Sequence, residues 1–563
     1  MATLAALVLA AGNVFAQADF YWDSPEQFSP AAGIFPQAAS GGGVAAVAWQ
    51  ETARQETARQ DGQDAVFVSV AVSAPAHADP ARAEFAAGPV RWSIHRRVAG
   101  AYPYSGAAPW LYSLFVDDAG VIFLPVAAST ASTELYISRD RGASFSVVVL
   151  NSGEDGGQGA ERESVAPRIF QTASGGYLLF TGRSVNSALT LYYARSADGV
   201  NWSPFSLFAQ NDPALTLNFL PAHVSFAGCE YVVFQSYIKG EAGRLSFQLY
   251  LKISADGGKT WSAARRVTNF RDPVSNTTEN PDFFNNERPH IGAYGSSLFL
   301  VWERKYISGT TSIYALRLGR DGEALGRAEK INQQNAVCLS PVSVESGGTL
   351  FVLWFDNRAG NNAVVMARRN GAVWEERVIS GGTTPAGGTA PAGTAPAGTA
   401  HSAMFASPTL AAGTLYVFWQ DSAGGESRVY YREQDTRAAP PALRAVNFTP
   451  GLPTQASLAR IAWREPPDPS GIRGYSWLWS RDADAVPPRT LRAGAGVTQA
   501  EFQADRDGSW YFTICAADYA GNWSPPETLR FIRDTTPPDV PVIERQAADA
   551  DGFLFSNTFT LRW

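Results

Sequence analysis

Cysteine is scarce in this chain of 563 residues, with Cys229, Cys338 and Cys515 the only three. They are odd in number and far apart, which excludes a disulfide framework and a thiolate metal site. The five histidines form no HExxH arrangement, so a zinc-hydrolase motif is excluded too. Asp-x-Asp calcium-loop spacing is absent, and no metal and no cofactor are expected. Charged residues make up 17%, the net charge is −7, and no stripe gathers the basic residues. Nucleic acid is therefore not an expected partner. Beyond the N-terminus no run of apolar residues is long enough to cross a bilayer, so no transmembrane span is expected in the given chain.

Aromatic residues and turn formers are plentiful instead: 16 Trp, 51 Gly and 35 Pro. This is the composition of a strand-rich, turn-rich protein, and the length calls for two or more domains. A repeat runs through residues 30–435. Each copy has a proline, an apolar strand, a Gly-rich turn, and a second apolar strand that mostly ends on an aromatic. Copies stand at residues 36–49, 109–124, 167–180, 221–234, 289–302, 341–354 and 408–419. The copy at Pro109 is the least regular. A third strand follows each copy, then a tight turn into a fourth. Four short strands repeated seven times predict an all-β, seven-bladed β-propeller, or a six-bladed one if the Pro109 copy is discarded. The last copy lacks its outer strand. Residues 22–28 (WDSPEQF) resemble residues 202–208 (WSPFSLF), so the N-terminus is expected to supply it.

Three of the turns share a phrase. Residues 254–261 read SADGGKTW, with Ser254, Asp256, Gly258 and Trp261 at the defining positions. Ser138, Asp140, Gly142 and Phe145 repeat it with Phe for Trp. Ser196, Asp198, Gly199 and Trp202 form a copy one residue shorter. The phrase matches S-x-D-x-G-x-T-W and resembles the Asp-box (BNR) repeat of sialidase-like β-propellers. These aspartates have the spacing of hairpin residues, so a structural role is expected for all three boxes.

The pattern changes at residue 438. Residues 469–475, 517–522 and 534–538 resemble the phrases of fibronectin type III and bacterial immunoglobulin-like modules, which implies a C-terminal β-sandwich. The expected domains are an export signal at 1–18, closed by Ala16-Gln17-Ala18; a propeller at 19–437; a fibronectin-like sandwich at 438–534; and the start of a further module at 535–563. The protein is expected to be exported, to the periplasm or the cell surface. Residues 51–60 and 384–400 are internal duplications and read as surface loops.

In such a ring the loops entering first strands and leaving second strands share the face away from the boxes. Ligand-binding candidates there are Glu163, Arg168, Arg183, Tyr237, Glu287, Arg288, His290, Glu303, Arg304, Asp356, Arg358 and Asp421. Arginines beside acids suit a carboxylate or a sugar. The sialidase resemblance implies three arginines, a Tyr–Glu nucleophile pair and an Asp acid/base. Arg168, Arg288 and Arg358 fit the first role; alternatively they pair with Glu163, Glu287 and Asp356. The F/Y-R-I-P phrase expected before the first box has its nearest counterpart after it, at residues 167–170 (PRIF). No catalytic residue is assigned from sequence. The expected function is non-catalytic binding of a protein or glycan at the cell envelope. A sialidase-like glycoside hydrolase and a receptor ectodomain are the alternatives.

Overall fold

The computed structural model describes residues 22–23, 25–30, 32–51, 65–72, 92, 96–99, 112–127, 132–151, 164–185, 188–209, 218–239, 245–268, 284–306, 308–358, 360–370, 373–380, 402–423, 426–540 and 550–551. The expected export signal, most of both duplicated tracts and the last twelve residues lie outside these. The fold is all-β, and among the described residues no helix is long and apolar enough to cross a membrane.

Residues Trp22–Asp435 form one compact unit. Its described strands build seven four-stranded antiparallel sheets, six of them in simple sequence order. The first starts with Ile34–Gly41, the second with Phe115–Val116, the third with Ser164–Gln171 and the fourth with Asn218–Phe226. The fifth starts with Phe284–Tyr294, the sixth with Cys338–Ser346 and the seventh with Ala403–Ala411. The outer strand of the seventh sheet is Glu26–Gln27, with Glu26 opposite Tyr431 and Gln27 opposite Tyr430. Strand number and order are those of propeller blades.

The second strand of each sheet is apolar on both faces because both are covered. Trp49, Trp302, Trp354 and Trp419 stand within four of these strands, fully buried. Their size fills the space between neighbouring sheets.

The prolines of the repeat have a common geometry. Phe35, Ala166, Leu220, Arg288 and Ser340 each precede a proline and adopt φ between 50° and 54°. In each case the residue and its proline form a bulge against the second strand. Phe405 (φ 58°) holds the same place in the seventh sheet, followed by Ala406. A left-handed non-glycine residue is costly, and a bulge re-aims the side chains around it. Six first strands therefore bend at one level.

The Ser-x-Asp turns tie consecutive sheets together. Ser254 Oγ donates to Asp256 Oδ1 (2.7 Å) and accepts the Gly258 N–H (2.8 Å). The Thr260 N–H and hydroxyl both donate to Asp256. Gly258 sits at φ 79° over Leu178 of the third sheet. Trp261 packs there on Phe208 (ring centroids 5.0 Å apart), Tyr193 and Phe180. The turns at Asp140 and Asp198 repeat the bonds. Hydrogen bonds from Ser144, side chain first, hold Asp140 down to about 2.

Residues from Thr436 onward belong to a second unit. A three-stranded sheet (Ala442–Ala445, Leu458–Arg464, Gln499–Gln503) and a five-stranded one built around Gly508–Asp518 share a core. Ile461 and Trp463 of the former meet Tyr475, Phe512 and Ile514 of the latter.

Candidate functional site

Five of the twelve candidates from sequence, Glu287, Arg288, His290, Glu303 and Arg304, stand on the fifth sheet, around its bulge. Glu287 stands directly opposite Glu303, and His290 opposite Val301, with Arg288 and Pro289 bulged between. Directly opposed residues share a face and lie about 5 Å apart at Cβ. Glu287, Glu303 and His290 thus project on one side of the sheet, toward the sixth. Glu303 is 1% exposed. Its carboxylate accepts Arg288 Nη1 (3.0 Å) and the Ser340 N–H of the sixth sheet (2.9 Å). The Arg288 N–H donates to Gln235 Oε1 of the fourth sheet (2.8 Å). Arg288 is therefore fixed at both ends by neighbours.

Burial raises the pKa of Glu287, and the Glu303 charge raises it further, against Lys305 and Arg288. His290 behaves oppositely. Burial pushes it down to about 4, and the Arg168 charge adds to this. Its Nδ1 accepts the Ser343 N–H (3.2 Å) and lies 3.0 Å from Ser343 Oγ. Burial also lowers the pKa of Arg168, at the corresponding position of the third sheet.

The other candidates do not join this group. Arg304 follows Glu303 and faces the opposite way, over Tyr314 (3.8 Å) and Phe284 (4.3 Å), with its Nε on Asn286. Arg183 lies over Phe205 (4.0 Å), and Tyr237 packs on Phe247. Asp356 is fully buried and accepts Trp354 Nε1 (2.8 Å) and the Arg358 guanidinium. Arg358 also reaches Glu376. Burial opposes its charge, but these bonds outweigh that and raise its pKa. Asp421 is buried opposite Arg428. Glu163 lies outside the described residues. The proposed arginine trio is thus divided. Arg358 pairs with Asp356, as the alternative had it; Arg288 pairs with Glu303, one position across from the expected Glu287. In the second unit Trp477 and Trp479 are half-buried and packed on Trp463 and Trp510.

Sequence reasoning missed the partners on adjacent sheets, Gln235, Ser340 and Ser343. It also missed a cavity of about 420 Å³ along the first strands of the first four sheets, toward the Asp-box side. Phe170, His223 and Ser225 line it. Its wall holds Glu230, which accepts His223 Nε2, the Ser225 hydroxyl and the Ala173 N–H. Burial opposes the Glu230 charge, but these three bonds prevail and lower its pKa.

No family model and no curated protein matches the sequence. Similar solved structures exist. A polysaccharide lyase is 11% identical, with TM-score 0.41, covering 73% of this chain and 99% of its own. An α-L-arabinofuranosidase of Fusarium graminearum in complex with arabinobiose is 13% identical (TM-score 0.37; 62% and 96%). A protein of unknown function from Dyadobacter fermentans is 11% identical (TM-score 0.38; 73% and 97%). The expectation of a non-catalytic binder is corrected at this point. The named functions among these structures are those of glycan-active enzymes, and the face expected only to recognise a ligand holds an opposed carboxyl pair.

Proposed function

We propose that this chain is a glycan-active enzyme, a glycoside hydrolase on a seven-bladed propeller of the sialidase-like Asp-box type. The observation that carries the reading is Glu287. Its carboxyl pKa is raised, and it stands at a bulge where first strands bend together. Glycoside cleavage needs a carboxylic acid that is still protonated near neutral pH to protonate the leaving oxygen. Desolvation and the Glu303 charge favour that state. Glu303 is buried and tied by Arg288 and Ser340, so its role is to position and tune Glu287 rather than to attack. Arg288, whose side chain is 38% exposed, offers its remaining N–H groups to sugar hydroxyls.

The second unit serves as a fibronectin-like sandwich spacer, and the protein works outside the cytoplasm. Trp463 at the centre of the two-sheet core supports the former, and Ala16-Gln17-Ala18 the latter.

The test is turnover of fluorogenic glycosides, with α-L-arabinofuranosides and sialosides in the panel, by wild type and Glu287→Gln. Turnover that Glu287→Gln lowers by about a hundredfold or more is the expected result. A panel without turnover, or a Glu287→Gln variant as active as wild type, refutes the assignment.

A further inference from the structure

We infer that the cavity on the Asp-box side is a second carbohydrate site, holding one neutral sugar unit apart from Glu287. Its volume of about 420 Å³ falls within the range of small-ligand sites, about 300–1,000 Å³. Four consecutive sheets line it, from Ser40 in the first to Ser225 in the fourth. Phe170, Gln171 and His223 follow the bulges of their strands, whereas Glu287 precedes the bulge of the fifth sheet.

The argument begins with His223, whose side chain is only 4% exposed. Its Nε2 lies 2.8 Å from Glu230, a carboxylate that also accepts the Ala173 N–H and the Ser225 hydroxyl. Nε2 therefore carries the proton, and in the neutral ring Nδ1 is an acceptor. No described residue donates to it. Glu230 fixes the ring on one side, and Phe170 lies against it with centroids 4.8 Å apart.

Gln171 has the opposite need. Its Oε1 accepts the Asp118 N–H at 3.1 Å, which assigns the other end of the amide as NH2. That group is a double donor, and no described residue accepts from it. Asp118 is the one carboxylate of the described lining, and no described residue donates to its carboxylate oxygens.

Unmatched acceptors and an unmatched donor thus share one small volume. Its occupant must donate and accept at neighbouring positions, as adjacent sugar hydroxyls do. An anion only accepts, so it leaves Nδ1 without a donor and meets the Asp118 charge. An ammonium group only donates and leaves the Gln171 amide without an acceptor. A wholly apolar ligand strands all three groups. Phe115, Val116 and Phe170 add apolar surface for the C–H faces of a sugar ring.

The experiment is a saturation-transfer NMR titration of the full chain carrying Glu287→Gln, so that no probe is consumed. The neutral probes are L-arabinose, D-glucose and arabinobiose; D-glucuronate and D-glucosamine are the charged ones. The expected result is binding of a neutral probe, tighter than of either charged one. Gln171→Glu keeps the acceptor for the Asp118 N–H and removes the donor, and Asp118→Ala removes an exposed acceptor. Each is expected to weaken binding about tenfold or more. Given that loss, equal affinity for L-arabinose and arabinobiose identifies a site for a free sugar. Arabinobiose bound about tenfold tighter identifies one for the end of a chain. No binding of any neutral probe, a charged probe bound as tightly as the neutral ones, or binding that both variants leave unchanged overturns the inference. The last of these outcomes would place the sugar elsewhere, for example beside residue 287. Turnover is not read, so the assignment of Glu287 and this inference fail separately. Circular dichroism confirms that each variant is folded before titration.

Discussion

His223 Nε2 lies 2.8 Å from Glu230 Oε2, with the two side chains only 4% and 1% exposed. The pair belongs to the first two strands of the fourth sheet, and Glu230 reaches on to the Ala173 N–H of the third. One carboxylate thus satisfies a ring N–H, a hydroxyl and a neighbouring sheet's backbone. Removing it leaves three buried donors without an acceptor. Glu230→Ala is expected to lower stability by about 3–5 kcal/mol, the range for breaking a buried pair. Glu230→Gln keeps acceptor capacity and should lose less. The sign with pH follows from the lowered pKa: the contribution is present above the ordinary glutamate range and lost as pH falls below it. Urea unfolding of both variants from pH 3 to pH 7 reads all three statements. A wild type and Glu230→Ala that unfold alike at pH 7 contradict them.

The Asp-box turns make a sharper contrast available. A Cβ at Gly258 would lie 2.6 Å from Leu178 Cδ2, in addition to its φ of 79°. Gly228 has nearly the same φ, 80°, but open space around it. Gly228→Ala is expected to cost only the left-handed backbone term, about 1–2 kcal/mol. Gly258→Ala should cost about 1–3 kcal/mol more, because the third sheet must give way to it. Equal melting temperatures for the two variants would show that the turn does not pack as described.

The repeat was legible in the sequence because it rests on short-range chemistry. Proline spacing, paired apolar strands and the Ser-x-Asp turns each report within about fifteen residues. Pairing of Glu26–Gln27 with the last repeat was legible as well, from the likeness of residues 22–28 to 202–208. The site was less so. Glu303 and Arg304 are adjacent, and only the strand's alternation decides that one meets Glu287 and the other Tyr314. That alternation depends on the bulge at Arg288–Pro289, whose left-handed φ no propensity indicates for arginine. Gln235 and Ser340 lie 53 and 37 residues from their partners, on other sheets, and no local pattern connects them.

In the second unit Asp518 supplies a pH test. Burial raises its carboxyl to about 6, and nearby Asp468 adds to this, against hydrogen bonds from Asn522 and Gly521. The folded state therefore binds this proton more tightly than the unfolded chain. Its contribution is full below the ordinary aspartate range and is lost as pH rises through about 6. Asp518→Asn keeps an acceptor for the Asn522 N–H and removes the titration. Its melting temperature relative to wild type should rise between pH 4 and pH 7. A difference constant over that range refutes the assignment.

Glu303→Gln separates tuning from structure at the candidate site. An amide oxygen in the place of Oε2 can still accept from the Ser340 N–H and, at 3.3 Å, from Arg288 Nη1, so the link to the sixth sheet persists and that to the bulge weakens. What disappears is the charge opposite Glu287. Burial is the larger cause of the raised Glu287 pKa and remains, while the Glu303 contribution goes and Arg288 is left uncompensated beside it. The Glu287 pKa should fall without returning to its ordinary value. If Glu287 acts as the acid, the alkaline limb of the pH–rate profile moves to lower pH in Glu303→Gln, while melting temperature changes little. Glu303→Ala should show the same shift together with a loss of about 1–3 kcal/mol, because the Ser340 N–H is then unsatisfied. A profile unmoved by Glu303→Gln in an active enzyme would assign the alkaline limb to another group.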